Sequence, residues 1–250
     1  MRLIKETKQL TAMKKAGLIF KPNSLNLKDT YIKIMDIFKE KGIEIILEEQ
    51  SATIINKNGI EFNQMCERCD FIVSIGGDGT LISTTRRSFK YNKAVLGINL
   101  GNLGFLTDIM PNEIEYFLDN MHNNKYRIDA RMMLEFSIKG KTEVAFNDIV
   151  ITRKSIQNMA RIDAKIDDEI FNSYYGDGLI ISTPTGSTAY NLSSGGPLVY
   201  PLLDALIMTP ISPHSLTQRP LILPSGFNIG LTSGNENNLM VIVDGQDTFE

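Results

Sequence analysis

Short apolar runs alternate with longer amphipathic stretches through the first hundred residues. Gly17-Leu-Ile-Phe20, Ile43 to Leu47, Phe71 to Ile75 and Ala94 to Ile98 each have the length and composition of a buried strand. Lys21-Pro22-Asn23-Ser24 breaks the first run, and a helical period follows from about Leu25 to Lys41. Strands separated in this way predict a parallel sheet with helices on its faces. The texture changes near Pro111. A short helical pattern, Asn112 to Met121, gives way to Leu134–Ile138, Val144–Thr152, Ala160–Ile166 and Gly178–Ser182. Leu221–Leu223, Asn228–Leu231 and Leu239–Val243 follow, bounded by Pro, Gly or Asn. This half predicts antiparallel sheet, with two-sided burial in the later members. The expected organisation is an α/β domain over residues 1–110, then an all-β, sandwich-like domain over 111–250.

Composition narrows the function classes. The chain has 250 residues, 42% hydrophobic and 22% charged, which places it among globular proteins. Its 26 basic and 29 acidic side chains leave a net charge of −3, without the basic excess of a dedicated nucleic-acid binder. No apolar run approaches the ~20 residues of a membrane span. Lys5, Lys8, Lys14 and Lys15 lie near the N-terminus with no apolar core after them, so no secretory signal is read and a cytoplasmic location is expected. Cys66 and Cys69 form a Cys-x-x-Cys at the expected end of a helix, before a strand. That is the wrong order for a thioredoxin-like site, and too few further ligands exist for zinc, so reduced thiols are expected.

Phe71-Ile-Val-Ser-Ile75 runs into Gly76-Gly77-Asp78-Gly79-Thr80 and then a helix. A strand passing through glycines into a helix start is an anion-binding geometry, because the backbone can approach a ligand and the first N–H groups point outward. An aspartate there either caps the helix or faces a hydroxyl beside the phosphates, where it orients the nucleophile and takes its proton. Two other nucleotide motifs are excluded. Gly140-Lys141-Thr142 lacks the earlier P-loop glycine, whose place is Glu135, and Gly97, Gly101 and Gly104 miss the Rossmann spacing. The Gly97–Phe105 segment nevertheless follows a strand and adjoins the Gly77 loop if the two strands are neighbours.

A second cluster runs from Gly176-Asp177-Gly178 to Ser193. Ser182, Thr183, Thr185, Ser187 and Thr188 make it either a Ser/Thr-rich loop or a wall that wraps a polar ligand, with Tyr190 available for stacking. Asn147-Asp148 interrupts an apolar strand pattern, so one of the pair is expected to point inward and to need a partner.

Taken in order, these motifs resemble the NAD kinase family. The resemblance extends through Leu103-Gly-Phe-Leu-Thr107, Phe146-Asn-Asp148, Thr183-Pro-Thr-Gly-Ser-Thr-Ala-Tyr190, Ser194-Gly-Gly-Pro197, Pro210 to Pro220 and Asp244-Gly-Gln246. It implies phosphoryl transfer from ATP, with Mg²⁺ or another divalent cation, to the adenosine ribose 2′-hydroxyl of NAD. It makes Asp78 the catalytic proton acceptor and Gly76, Gly77, Gly79 and Thr80 the phosphate loop. Gly79 also lines the dinucleotide site, and Phe105 forms part of the adenine-side wall. It further implies NAD contacts from Asn147, Asp148, Arg161, Asp177, Thr188, Ala189, Tyr190, Asn191, Leu192, Ser193 and Gln246. No metal-ligating residue of the chain is implied, and homodimers or homotetramers are.

Asp148 stands where many relatives carry Glu, which shifts the contact by one bond. The chain stops at Glu250, four residues past Gln246, whereas the family usually continues, so an exposed sheet edge is expected. His214, without a Ser or Cys nucleophile beside it, reads as structural. Two rivals remain: a diacylglycerol-type lipid kinase, which shares the Gly-Gly-Asp-Gly-Thr motif, and a non-catalytic NAD(P)-binding protein.

Overall fold

A computed structural model describes residues 13–101, 104–107, 109–155, 159–233 and 239–250. Lys5, Lys8 and Leu103 lie outside the described residues. The chain divides into two compact units, residues 1–128 and 129–250.

In the first unit, strands β1 (Lys15–Phe20), β2 (Glu44–Leu47), β3 (Phe71–Gly76) and β4 (Ala94–Asn99) form a wholly parallel sheet in the order β2-β1-β3-β4. Its α-helices are α1 (Lys28–Glu40), α2 (Glu49–Ile54), α3 (Phe62–Arg68), α4 (Asp78–Ser88) and α5 (Ile114–His122). Successive strand residues face opposite sides, and the sequence uses both. Ala16, Leu18 and Phe20 of β1 join Phe71, Val73 and Ile75 of β3 in a core closed by Tyr31, Ile34 and Phe38 of α1 and Leu118 of α5. Ile19 and Ile72 point the other way, onto Met65, Cys66 and Cys69. Burial on both faces is what a parallel sheet requires, and it makes β3 a continuous apolar run. The two cysteines are free, buried thiols at the end of α3; burial pushes Cys66 up to about 12, so it stays protonated. The change of sequence texture predicts a domain boundary near Pro111. The division falls after Ile128 because Ile114, Leu118 and Met121 of α5 pack into the first core.

The second unit is built from β5 (Leu134–Ile138), β6 (Lys141–Ala145), β7 (Asp148–Arg153), β8 (Ala160–Ile166), β9 (Glu169–Gly176) and β10 (Gly178–Ser182). It continues with α6 (Tyr190–Ser193), β11 (Ala205–Ile211), β12 (Leu221–Pro224), β13 (Ile229–Ser233), β14 (Leu239–Val243) and β15 (Asp247–Phe249). An antiparallel sheet ordered β12-β11-β10-β7-β14-β15 faces a three-stranded sheet, β13-β8-β9, and β5-β6 is a hairpin. Ile149, Ile151, Leu179, Ile181 and Met208 of the large sheet pack with Ala160, Ile162, Ala164 and Tyr174 of the small one, giving a β-sandwich core.

Two expectations change. The Val144–Thr152 run is not one strand but β6 and β7, broken at Phe146-Asn147, where three successive N–H groups turn toward the Asp244 carboxylate. Two-sided burial belongs to the central strands β10 and β11, whereas β12 and β13 alternate half-buried and exposed positions.

Candidate active site

The first cluster sits at the C-terminal end of the parallel sheet. Gly76 ends β3, Gly77 occupies the N-cap position of α4 with no side chain to cap it, and Asp78 opens the helix. A Cβ on Gly76 would stand 2.5 Å from Thr80 Oγ1, so only glycine admits this close turn. The register Gly76↔Asn99 and the bond from Leu100 N–H to Gly76 C=O, 2.8 Å, bring the segment after β4 beside the loop. That segment holds the aspartate. Phe105 N–H donates to Asp78 Oδ2 at 2.8 Å; Oδ1 accepts from Leu106 N–H at 3.3 Å, Thr107 N–H at 3.1 Å and Thr107 Oγ1 at 2.9 Å. Asp78 therefore does not cap its own helix. Its carboxylate is aimed away, pinned by a neighbouring loop, and half-buried. The Phe105 side chain is 70% exposed, open to a ligand.

The second cluster lies in the second unit. Asn147 is buried, and its Oδ1 has no hydrogen-bond partner among the described residues, an orphaned acceptor. Its backbone is fixed from both sides: its N–H reaches Asp244 Oδ1 at 2.7 Å, and its carbonyl accepts from Thr183 N–H at 2.8 Å. Asp148 is also buried. Desolvation first, and the Asp244 charge second, push its carboxyl up to about 7. Thr185 Oγ1, likewise buried, has no partner among the described residues either. Its position in the chain marks Thr185 only as one of a hydroxyl-rich run, because sequence does not show whether a hydroxyl has a mate.

That run is folded tightly. Thr185 to Thr188 form a 3-10 turn, and Ala189 leads into α6. A Cβ on Gly186 would meet the Asn147 carbonyl oxygen at 2.1 Å, so this turn lies directly on the Asn147 backbone. Thr188 is half-buried, while Tyr190, Leu192 and Ser193 are exposed. Asn191 differs from its neighbours. It is fully buried; its amide donates to the Ser187 and Pro197 carbonyls at 3.1 Å each and accepts from Thr209 Oγ1 at 2.6 Å. These bonds brace the turn.

Three residues stand apart. Arg161 on β8 pairs with Asp163 at 3.3 Å. Asp177, between β9 and β10, pairs with Arg153 at 2.9 Å. Gln246 is exposed in the turn after β14. Asp244, which the sequence reading gave no role, anchors the Phe146–Asp148 backbone across a separation of 96 to 98 residues. A cleft of about 430 Å³ beside β9, lined by Phe171, Tyr174, Ser215 and Arg219, holds none of the predicted site residues. His214 packs edge-on against Tyr175.

The fold and these clusters define a class: a two-unit protein whose α/β half carries a glycine-loop carboxylate and whose β-sandwich half carries buried, unfilled polar groups. The ATP-NAD kinase N-terminal domain matches residues 16–126, and the ATP-NAD kinase C-terminal domain matches residues 146–250. The chain belongs to the NAD kinase family. It is 48% identical over 242 residues to an NAD kinase of Sulfurimonas denitrificans, covering 95% of this chain and 85% of that one. It is 46% identical to an NAD kinase of Wolinella succinogenes, covering 96% and 84%. Among solved structures, yeast NADH kinase complexed with NADH superposes with a TM-score of 0.82 at 28% identity, covering 94% of this chain and 76% of that one. An NAD kinase from Archaeoglobus fulgidus in complex with ATP gives 0.76 at 25%, covering 94% and 86%.

Proposed function

We propose that this protein phosphorylates the 2′-hydroxyl of the adenosine ribose of NAD, with ATP–Mg²⁺ as donor. The observation that carries the assignment is the Asp78 carboxylate, held at a glycine-rich helix start by donors from another loop and not consumed as a cap. Gly76, Gly77, Gly79 and Thr80 lie at the donor phosphates, where the open glycine backbone lets them approach and the helix dipole favours their charge. In the transfer, the ribose 2′-oxygen bonds to the γ-phosphorus. The bond to the β,γ-bridging oxygen breaks, and its electron pair leaves with ADP. The hydroxyl proton passes to Asp78. A carboxylate is a weak base for an alcohol, so orientation of the hydroxyl is the larger contribution.

The orphaned Asn147 and Thr185 oxygens and the buried Asp148 carboxyl support a role for this cluster in reading NAD hydroxyl and amino groups. Within the second unit, Thr188, Ala189, Tyr190, Asn191, Leu192 and Ser193 supply a wall for NAD, with Arg161, Asp177 and Gln246 at its periphery; within the first unit, exposed Phe105 is its counterpart beside Asp78. The divalent cation comes with the nucleotide, bound through its phosphate oxygens. Exposed Ile170, Phe171 and Leu216 on the second unit favour association into a homodimer or homotetramer, and the free buried thiols fit a reducing cytoplasm.

The test is to supply ATP–Mg²⁺ with NAD or with diacylglycerol micelles and follow NADP and phospholipid. NADP formation alone is expected. Transfer to the lipid, or NAD binding without turnover, would contradict the proposal.

A further inference from the structure

Resting on Asp78 as the acceptor of the hydroxyl proton, we infer that Thr107 is a positioning residue: it locks the carboxylate and leaves Oδ2, the oxygen facing the Phe105 N–H, to meet the 2′-hydroxyl. The four hydrogen bonds to Asp78 are unevenly shared. Oδ1 receives the Thr107 hydroxyl, the Thr107 N–H and the Leu106 N–H, while Oδ2 receives only the Phe105 N–H. A carboxylate oxygen offers about two lone-pair sites, so Oδ1 is saturated and Oδ2 keeps one. The loop does not cover that site with a side chain, since Phe105 is 70% exposed.

Among the described residues, Thr107 contributes the one side-chain donor to Asp78, and it is itself immobilised, fully buried with its methyl against Gly97, where an added Cβ would come within 2.9 Å. On the other side, a Cβ at residue 104 would fall 2.2 Å from Oδ1 and 2.5 Å from Oδ2, so the carboxylate fills the space that Gly104 leaves and both oxygens are held edge-on to it. With an occupied Oδ1 and close contacts around it, the side chain has one orientation to offer. Transfer rates fall about a hundredfold for misplacements near 1 Å, so a fixed carboxylate is kinetically valuable.

Thr107→Val keeps the shape and removes the hydroxyl, while Thr107→Ser keeps the hydroxyl and removes the methyl. We expect Val to lower kcat about tenfold or more with the NAD KM within about twofold of the parent, and Ser to restore most of kcat. A merely structural Thr107 would instead lower the melting temperature without this split in kcat and KM. Asp78→Asn runs in parallel. If it stays active, the assignment of Asp78 fails; if it is inactive while Thr107→Val turns over normally, the positioning role alone fails. Should Thr107→Val not fold, a crystal structure of the parent with NAD and a non-hydrolysable ATP analogue decides. The 2′-oxygen on Oδ2, with three donors still on Oδ1, upholds the inference. The 2′-oxygen on Oδ1, or a carboxylate released by residues 105–107, overturns it.

Discussion

Burial pushes the Asp148 carboxyl up to about 7 from an ordinary 3.8, and Asp244 adds to the rise. Because the folded site holds its proton more tightly than the unfolded chain, the associated stability is fully present below about 3.8 and is lost as pH rises through about 7. Ligand binding runs the other way, since a ribose hydroxyl donates best to the ionised carboxylate. NAD affinity is expected to rise between about pH 6 and 8, and Asp148→Asn to flatten that rise; calorimetric titration across this range checks both. An unchanged slope in the variant would remove Asp148 from the site. Among single residues, Asp78 was legible because its glycines are contiguous in sequence. The anchoring role of Asp244 was not, because its three N–H partners lie 96 to 98 positions away. Asn191, grouped with the NAD contacts by resemblance, binds Ser187, Pro197 and Thr209 through its side-chain amide, and only the folded turn shows which way that amide faces.

Elements of the parallel sheet were readable because two-sided burial writes them as unbroken apolar runs, and β3 and β4 fall within one residue of expectation. The sandwich was harder. β11 went unread partly because Pro210 interrupts it; the strand tolerates that proline because β12 pairs only with Ala205 to Met208. β9 mixes Asn172 and Ser173 with aromatics and shows no clean alternation. The hydroxyl-rich turn onto Asn147 makes a test at this scale. Gly186→Ala places a methyl 2.1 Å from the Asn147 carbonyl oxygen. It is expected to cost about 1–3 kcal/mol in denaturant unfolding and to weaken NAD binding. A variant of parental stability and affinity would mean that this packing does not shape the site.

At the scale of the whole molecule, family membership follows from an ordered set of motifs and from matches spanning residues 16–126 and 146–250. Both halves of the fold were foreseen as classes, α/β and then β-sandwich. The division after Ile128 was not, because the helical period of α5 does not say which sheet it packs on. If NAD binds only the folded chain, saturating it at about 100 times Kd adds about 2.7 kcal/mol, or roughly 5–10 °C in melting temperature for a chain of this size. Duplex DNA at equal phosphate concentration is expected to add nothing, given the net charge of −3. The most direct measurement pairs turnover with binding in Asp78→Asn. Parental NAD affinity by calorimetry with kcat reduced about a hundredfold or more is the expected result. Parental kcat, or a loss explained wholly by lost NAD binding, would contradict a role for this carboxylate in the transfer itself.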